Sequence, residues 1–343
     1  MKIKTLMDFL NKDSAESRIE QESQPSDAGV APSREEKVVY IENARLESGR
    51  DQFERKELLA SGTRWADQSM GEILIDLEKL DREDLTQIIE YQRENGLYFG
   101  EAAVDLKLVD QEDILQALSI QFGYTYDRSE KILRKEMVMA YSPFGEQAEE
   151  FRTVRAQLLN NWLSSEQNTL AIVSPEKGEG RSYVAANLAL AFSQLGRPTL
   201  LIDADLRAPR QHDIFNFTRR IGLSMLLAGR ISIEDLDALP DQISSFQHLS
   251  VLGCGAIPPN PVELLSKSTF SLILRELKKY FDVIIIDTPP AAYMADVISI
   301  ASVAGSALLV ARAGRSKMEN TKNLISDLAQ ARVKAVGAVI NQF

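Results

Sequence analysis

The chain has 343 residues, 44% of them hydrophobic, and a formal net charge of −11 at pH 7. This length suits two domains, with enough apolar side chains for a real core. The negative charge argues against nucleic acid or anionic lipid as a partner of the surface as a whole. The single cysteine, Cys254, excludes an internal disulfide. We therefore expect a protein of the reducing cytoplasm that binds no nucleic acid.

The N-terminal region shows no targeting signal. Its first twelve residues, MKIKTLMDFLNK, are mildly basic but lack the apolar core and cleavage site of a secretory signal. They are expected either to dock on lipid or a partner, or to form a frayed terminus. Residues 13–60 are rich in Ser, Glu, Gln and Arg, so we expect residues 1–60 to form a disordered linker. No stretch reaches the roughly 18 consecutive apolar residues of a membrane span.

An internal repeat follows this linker. Residues 70–92 and 99–121 align at an offset of 29, which pairs Gly71 with Gly100 and Ile89 with Leu118. In each copy a Gly-Glu pair opens a short apolar helix, and an Asp then caps a second helix that a Gln closes. We expect residues 61–129 to form a small, mostly helical repeat domain.

This repeat resembles the N-terminal domain of type II secretion and pilus-assembly ATPases, some of which bind cyclic di-GMP. The binding motif of that family begins Arg-Leu-Gly and has a second Gly seven positions on. Here Ser69 and Tyr98 stand at the arginine positions, and Glu78 and Lys107 at those of the second glycine. Serine cannot stack on guanine or grip a phosphate, so we favour a protein-docking module over a domain that binds cyclic di-GMP.

The rest of the chain reads as an α/β domain. Residues 130–168 are expected to form a helical bridge, and residues 169–343 alternate apolar runs with helical stretches. The apolar runs are nearly continuous in Leu, Ile and Val, as in strands buried on both faces. The predicted strands are 170–174, 199–203, 248–252, 283–287, 307–310 and 335–341. Together they predict a P-loop domain with a doubly wound, mainly parallel sheet.

The first of these strands runs into a phosphate-binding loop, or P-loop, with the sequence PEKGEGRS at 175–182. Gly178 and Gly180 let backbone amides face phosphate oxygens, and Ser182 can offer an oxygen to Mg²⁺. Arg181 stands where the usual pattern has lysine, and the first glycine, at 175, is missing. Arginine keeps the charge but is larger and planar. We expect either a tuned phosphoryl-transfer site or nucleotide binding with negligible hydrolysis.

Two further predicted strands end in carboxylates. Asp203 and Asp205 close one strand, where a period of two places them on the same side, and Asp287 closes another. The carboxyl ends of the strands of an α/β sheet converge on the crevice where ligands bind. The P-loop and these strand ends predict a Mg²⁺-nucleotide site.

Five motifs stand in the order found in bacterial tyrosine kinases. They are Glu149-x-x-Arg152-x-x-Arg155, the P-loop, LIDADLR-x-P-x-x-H at 201–212, PPNP-x-ELL at 258–265 and IDTPP at 286–290. Together they resemble the kinases of exopolysaccharide operons that lack membrane helices. The resemblance implies a protein-tyrosine kinase that uses ATP and Mg²⁺.

The resemblance also implies roles for individual residues. The ATP-binding residues would be Lys177, Gly178, Glu179, Gly180, Arg181, Ser182, Tyr183 and Asn341. The Mg²⁺ ligands would be Ser182, Asp203 and, through water, Asp287. The catalytic residues would be Arg181, Asp203, Asp205 and Asp287, with Asp203 or Asp205 accepting the tyrosine proton. Asn341 would either read adenine or cap the last strand, and Tyr183 would pack or contact the nucleotide.

Partners are likewise implied by the resemblance. Glu149, Arg152 and Arg155 are expected on one helical face that joins subunits of an oligomer, the alternative being a solvated charged face. A membrane chain-length determinant would hold the chain at the inner membrane. Nine tyrosines are scattered, none after Tyr293, so we expect another protein or an isolated tyrosine as acceptor, or weak kinase activity. A nucleotide-gated scaffold and a positioning ATPase are the alternative functions.

Overall fold

The computed structural model describes residues 2–4, 69–121, 133–164, 166–217, 221–232, 241–243, 246, 248–266 and 268–342. The linker prediction for residues 5–60 therefore lies outside the described residues, as do the predictions for 61–68 and 122–132. The repeat domain and the α/β domain each have a hydrophobic core, and each is described by itself.

Residues 69–121 form four helices, two in each copy of the repeat. They are α1 (Met70–Asp76), α2 (Arg82–Asn95), α3 (Phe99–Asp105) and α4 (Gln111–Gln121). Each helix sends apolar side chains into a shared core, where Ile73, Ile88, Ala102 and Ala117 are fully buried. Burial of these faces stabilises helices that are too short to persist alone in water.

The second helix of each copy begins at an aspartate cap, as predicted. The Asp81 carboxylate accepts hydrogen bonds from the backbone N–H of Glu83 and of Asp84, both at 2.8 Å. In the second copy the Asp110 carboxylate accepts from the backbone N–H of Asp113, also at 2.8 Å. These bonds satisfy amides that have no partner within the helix.

The predicted helix end is right in only one copy. Gln121 ends α4, but α2 continues past Gln92 to Asn95. The reason is Gly96, which adopts a left-handed φ of 66° and terminates α2. The prediction that Gln92 closes the first copy was therefore wrong.

The α/β domain is built on a sheet of eight strands. They are β1 (Lys2–Lys4), β2 (Thr169–Val173), β3 (Thr199–Asp203), β4 (Asp241–Gln242), β5 (Leu249–Leu252), β6 (Val283–Asp287), β7 (Ser306–Arg312) and β8 (Lys334–Asn341). Their order across the sheet is β1-β8-β7-β2-β6-β3-β5-β4. The six inner strands are parallel, which confirms the predicted fold.

The two edge strands are antiparallel and were not predicted. β1 pairs with β8, and β4 pairs with β5. β1 lies at residues 2–4, within the stretch predicted as a linker. Strands of two or three residues are too short for a hydrophobic period, and only the backbone of the neighbouring strand defines them.

Helices cover both faces of the sheet. They are α5 (Val138–Tyr141), α6 (Glu146–Asn161), α7 (Arg181–Ser193), α8 (Gln211–Ile214), α9 (Leu223–Leu227), α10 (Pro261–Leu265), α11 (Ser268–Leu277), α12 (Met294–Ala304) and α13 (Met318–Gln330), with a 3-10 turn at Ala291–Tyr293. The sheet separates two cores, because successive side chains of a strand point to opposite faces. On β2, Leu170 and Ile172 enter one core and Ala171 and Val173 the other.

The segment before the sheet is part of this domain. Phe151 and Leu158 of α6 are buried in the same core as α7. Beyond the helix, Trp162 donates a hydrogen bond from Nε1 to the Ser306 hydroxyl at 2.8 Å. Residues 133–162 thus pack on the sheet instead of standing apart from it. None of the helices in the described residues has the length and apolarity to cross a membrane.

Candidate nucleotide and metal site

The strand order brings the predicted site residues to one edge of the sheet. β6 lies between β2 and β3, and the carboxyl ends of all three point the same way. The P-loop follows β2, Asp287 ends β6 and Asp203 ends β3. Asp203 and Asp287 are direct register partners on neighbouring strands. Residues separated by more than 80 positions in the sequence therefore meet at one site.

The P-loop has the backbone that its glycines predict. Gly178 and Gly180 have φ angles of 80° and 93°, in the left-handed region that side chains disfavour. α7 begins directly after Gly180, at Arg181, so that its N-terminal amides face the loop. The Glu179 side chain turns inward and is fully buried, where it accepts a hydrogen bond from the backbone N–H of Glu176 at 2.7 Å. This carboxylate ties the loop to itself.

Arg181 is held by the protein. Its Nε donates to the Thr288 carbonyl at 2.9 Å, and its Nη1 donates to the Ser174 hydroxyl at 2.5 Å and to the Glu176 carbonyl at 3.0 Å. Burial lowers the pKa of the guanidinium, while the carboxylates of Asp287 and Asp205 act in the opposite direction. Its Nη2 has no hydrogen bond among the described residues. A ligand oxygen could use that nitrogen without breaking the other three bonds.

Asp203 and Asp287 each carry an unpartnered buried oxygen. The Oδ2 of Asp203 accepts from the backbone N–H of Arg210 at 3.0 Å and of Gln211 at 2.9 Å. The Oδ2 of Asp287 accepts from Gln211 Nε2 at 2.7 Å. The Oδ1 atom of each is buried without a hydrogen-bond partner in the part of the chain that the structure describes. Such oxygens are costly unless a cation or a proton compensates them.

The pKa values of both carboxyls follow from this burial. Burial, followed by the charge of Asp287, raises the pKa of Asp203 well above its usual value. Burial raises the pKa of Asp287 to about 6, although Arg181 and hydrogen bonds from Ser182 and Gln211 lower it. A divalent cation between these groups would favour their ionised forms. The local electrostatics therefore fit a metal ion.

The donor set points to Mg²⁺. No group of three or more His, Cys, Asp or Glu side chains in the described residues can hold a metal. Two carboxylates and the Ser182 hydroxyl would supply part of an oxygen shell, and phosphate oxygens and water the rest. Mg²⁺ is usually bound in this way, by one or two carboxylates together with substrate phosphates.

Gln211 is a site residue that the sequence reasoning missed. It is fully buried, and its Nε2 bridges the Ser182 carbonyl at 3.2 Å and Asp287 Oδ2 at 2.7 Å. Its backbone N–H donates to Asp203. One residue therefore contacts the start of α7, the end of β3 and the end of β6. No sequence signal marks it, because α8 is a single turn, too short to show a hydrophobic period, and the partners of Gln211 are distant in the sequence.

Asp205 is placed differently from Asp203. It lies beyond the end of β3, where its Oδ1 accepts from the backbone N–H of Arg207 at 3.1 Å and of Ala208 at 2.9 Å. Arg207 in turn binds the buried Asp296 through Nε at 2.6 Å. The loop after β3 is thus held by bonds within its own backbone and by the ion pair to α12. Asp205 Oδ2 takes no part in these backbone bonds.

The remaining predicted nucleotide contacts surround the loop. Lys177 is exposed on its outer surface. Tyr183 packs edge-on against Phe151 with ring centroids 5.6 Å apart, which supports the packing interpretation. Asn341 is buried and donates from Nδ2 to the Glu179 carbonyl at 3.2 Å, so its amide supports the P-loop from the end of β8. Cys254 is buried, and burial raises the pKa of its thiol to about 12.

The three residues of the expected interface motif do not share one face of α6. The Glu149 side chain is 69% exposed and that of Arg152 is 13% exposed, and they form an ion pair of 2.9 Å. Arg155 is buried and donates from Nη1 to the Ala191 carbonyl at 2.6 Å. Steps of three residues advance about 300° on a helix, so each side chain turns further toward the core. The expectation of a single face was wrong for Arg155.

Comparison with known proteins agrees with this geometry. Tyrosine-protein kinase YwqD of Bacillus subtilis (strain 168) is 34% identical over 209 residues, which are 61% of this chain and 86% of that protein. The chain belongs to the bacterial tyrosine-protein kinases. The kinase domain of Escherichia coli tyrosine kinase ETK superposes with a TM-score of 0.58 at 28% identity and covers 63% of this chain and 83% of that one.

A second solved structure has a similar fold. The chimerical protein CapA2B2 superposes with a TM-score of 0.56 at 29% identity, over 66% of this chain and 97% of that one. No family model matches the chain. The likeness of the N-terminal repeat to secretion ATPases remains a prediction from its sequence.

Proposed function

We propose that the chain is a protein-tyrosine kinase that uses ATP and Mg²⁺ and regulates exopolysaccharide polymerisation or export with a membrane chain-length determinant. The observation that carries the proposal is the pair of unpartnered buried oxygens on Asp203 and Asp287 beside a P-loop. Buried polar atoms are nearly always hydrogen-bonded, and these two carboxylate oxygens lie together on register partners of neighbouring strands. The family supports transfer to tyrosine, and the five exopolysaccharide-kinase motifs support the biological role.

In this proposal the chain positions nucleotide and metal. The P-loop amides and Arg181 would bind the phosphates, and Ser182, Asp203 and, through water, Asp287 would hold Mg²⁺. Mg²⁺, when bound, neutralises charge on the transferred phosphoryl group. Phosphoryl transfer needs mainly such positioning and charge neutralisation.

Asp205 is the better candidate for the base of the two predicted residues. Both oxygens of Asp203 would be in use: Oδ2 accepts two backbone hydrogen bonds, and the buried, unpartnered Oδ1 would bind the metal. A carboxylate that binds a metal is a weak proton acceptor. Asp205 Oδ1 anchors the loop and Oδ2 remains to accept the proton of the tyrosine hydroxyl.

The oligomer and the membrane association belong to the same proposal. Glu149 extends from α6 with an exposed carboxylate, and it and Arg152 would contact a neighbouring subunit. Arg155 would support that contact from inside by fixing α6 on α7. The chain would reach the inner membrane through its partner.

A nucleotide-gated scaffold is the second candidate. It is favoured by Arg181, whose guanidinium makes three hydrogen bonds to the protein. In an active kinase this positive group would instead bind phosphate. The scaffold is also favoured by the scattered tyrosines. In that case ATP sets the assembly state and hydrolysis is incidental.

The test compares Asp203→Ala with Asp282→Ala, a control at the opposite end of the sheet. The full chain is incubated with Mg-ATP, with and without the cytoplasmic tail of the chain-length determinant, and phosphotyrosine, phosphate release and oligomer size are measured. We expect Asp203→Ala to lose phosphotyrosine by at least about 100-fold, as when transition-state charge stabilisation is removed. Hydrolysis without phosphotyrosine would indicate a positioning ATPase, and a size change without either product the scaffold.

A further inference from the structure

The repeat domain has an open apolar groove of about 430 Å³ between α3 and α4. Met70, Val104, Ile114 and Leu118 provide its apolar lining. Tyr98, which is 80% exposed, stands at its border. A tyrosine ring displayed in this way on a small domain is typical of a contact surface.

The two copies of the repeat differ at this place. Phe99 of the second copy lies over Gly71 of the first, where an added Cβ would lie 3.3 Å from the ring and 2.4 Å from Leu85. The equivalent pair is Met70 of the first copy and Gly100 of the second. At Gly100 an added Cβ would meet only Ile114, at 3.1 Å, and Met70 lines the groove. An aromatic side chain thus covers one glycine, while a flexible methionine leaves the other open.

The charge of the domain restricts what can enter the groove. Residues 69–121 contain thirteen Asp and Glu against four Lys and Arg, which is a net charge of −9 out of −11 for the whole chain. Two of these acids, Glu101 and Asp105, line the groove one turn apart on α3. This field repels a dianionic nucleotide and attracts cations. The groove therefore combines an apolar lining with an acidic border.

We propose that this groove binds an amphipathic helix of a partner protein that carries lysine or arginine beside its apolar face. Apolar side chains at helical spacing would cover Met70, Ile114 and Leu118, as in other helix-in-groove complexes. The flanking cations would pair with Glu101 and Asp105, and one of them could stack on Tyr98.

The repeat itself supplies a matched control for the test. Glu101→Gln/Asp105→Asn removes two charges at the groove, and Glu72→Gln/Asp76→Asn removes the equivalent two charges in the first copy. Both Glu side chains cap their helices, by accepting from the backbone N–H of Tyr98 at 3.0 Å and of Ser69 at 2.8 Å. Glutamine keeps that acceptor, so both helix caps can still form in the variants.

The probe is a fluorescent synthetic helical peptide with leucines on one face and lysines along its flanks, titrated into the full chain. A scrambled peptide of the same composition is the second probe. We expect the Glu101/Asp105 variant and Tyr98→Ala each to weaken binding about 10-fold or more, as for central contact residues. The Glu72/Asp76 variant should change it less than about threefold, and binding should weaken with salt.

Four outcomes would overturn the proposal. They are equal weakening in both double variants, equal binding of the scrambled peptide, displacement of the peptide by cyclic di-GMP, and no binding at all. If the Tyr98→Ala variant instead changes only the self-association of the chain, the groove is an interface between copies.

Discussion

The kinase site and the repeat domain both keep energetically unfavourable features, but of different kinds. In the kinase site the cost is electrostatic, since Asp203 and Asp287 hold oxygens without partners. In the repeat domain it is conformational, since Glu78 and Lys107 both have a left-handed φ of 57°. Glycine stands at these two positions in the secretion-ATPase motif. A bound cation relieves the first cost, whereas only a mutation relieves the second.

This difference separates a site whose polar atoms lack partners from a turn whose backbone alone is strained. Packing of the helix pairs on either side holds the left-handed turns, which Glu78 and Lys107 form without glycine. The carboxylates of the kinase site carry oxygen atoms that a cation could bind. A backbone shape by itself is therefore weaker support for ligand binding than uncompensated polar atoms are.

After Asp203→Ala, the largest effect should come from Gln211→Leu. Leucine cannot donate to Asp287 or to the Ser182 carbonyl, so turnover should fall about 10- to 100-fold, as for residues that orient metal ligands. Loss of a hydrogen bond to an ionised carboxylate raises its pKa, so the acid limb of the pH profile should move upward. The assay is phosphate release against Mg²⁺ concentration and pH.

Gln194→Leu is the control for this variant, because Gln194 donates to the Met139 carbonyl at 3.1 Å, outside the site. If both variants lower turnover alike without moving the Mg²⁺ dependence, Gln211 has only a structural role.

Asp287→Asn should stabilise the nucleotide-free chain at pH 7. The folded pKa of Asp287, about 6, lies above its ordinary value of 3.8, so the folded state takes up the proton first as pH falls. Wild-type stability from this group therefore rises from pH 7 to pH 5, and the variant lacks that rise. The gain at pH 7 should be on the order of 2 kcal/mol.

Urea unfolding at pH 5 and pH 7, without Mg²⁺, measures this difference, with Asp282→Asn as the control at the other end of β6. In the presence of Mg-ATP the stability of the wild type should instead fall from pH 7 to pH 5, because protonation of Asp287 competes with binding of the metal. An unchanged pH dependence in Asp287→Asn would show that burial does not raise this pKa.

Glu78→Gly should have the smallest effect. A non-glycine residue in the left-handed region costs about 1–2 kcal/mol, and the greater freedom of glycine when unfolded offsets part of that gain. We expect about 1 kcal/mol more stability in Glu78→Gly than in Glu78→Ala, read from hydrogen exchange of α1 and α2. Equal protection in the two variants would mean that the turn is not strained.

Local patterns predicted the six inner strands, the P-loop glycines and the aspartate caps, because each depends on period, conformational freedom or a bond within a few residues. They also predicted that Asp203 and Asp287 would meet, since parallel strands end at one edge of the sheet. The spacing of Glu149, Arg152 and Arg155 predicted one shared helical face. This prediction failed for Arg155, because its burial depends on where α7 lies.

By itself the sequence determined the fold class, the phosphate loop and the acidic strand ends. Only the tertiary structure decided that Arg181 is held by Thr288, Ser174 and Glu176, that Gln211 joins three elements, and that one copy of the repeat is open while the other is closed. The physical reason is the separation along the chain over which each interaction acts. Period and caps act within a few residues, whereas burial, buried hydrogen bonds and grooves exist only after distant segments have packed.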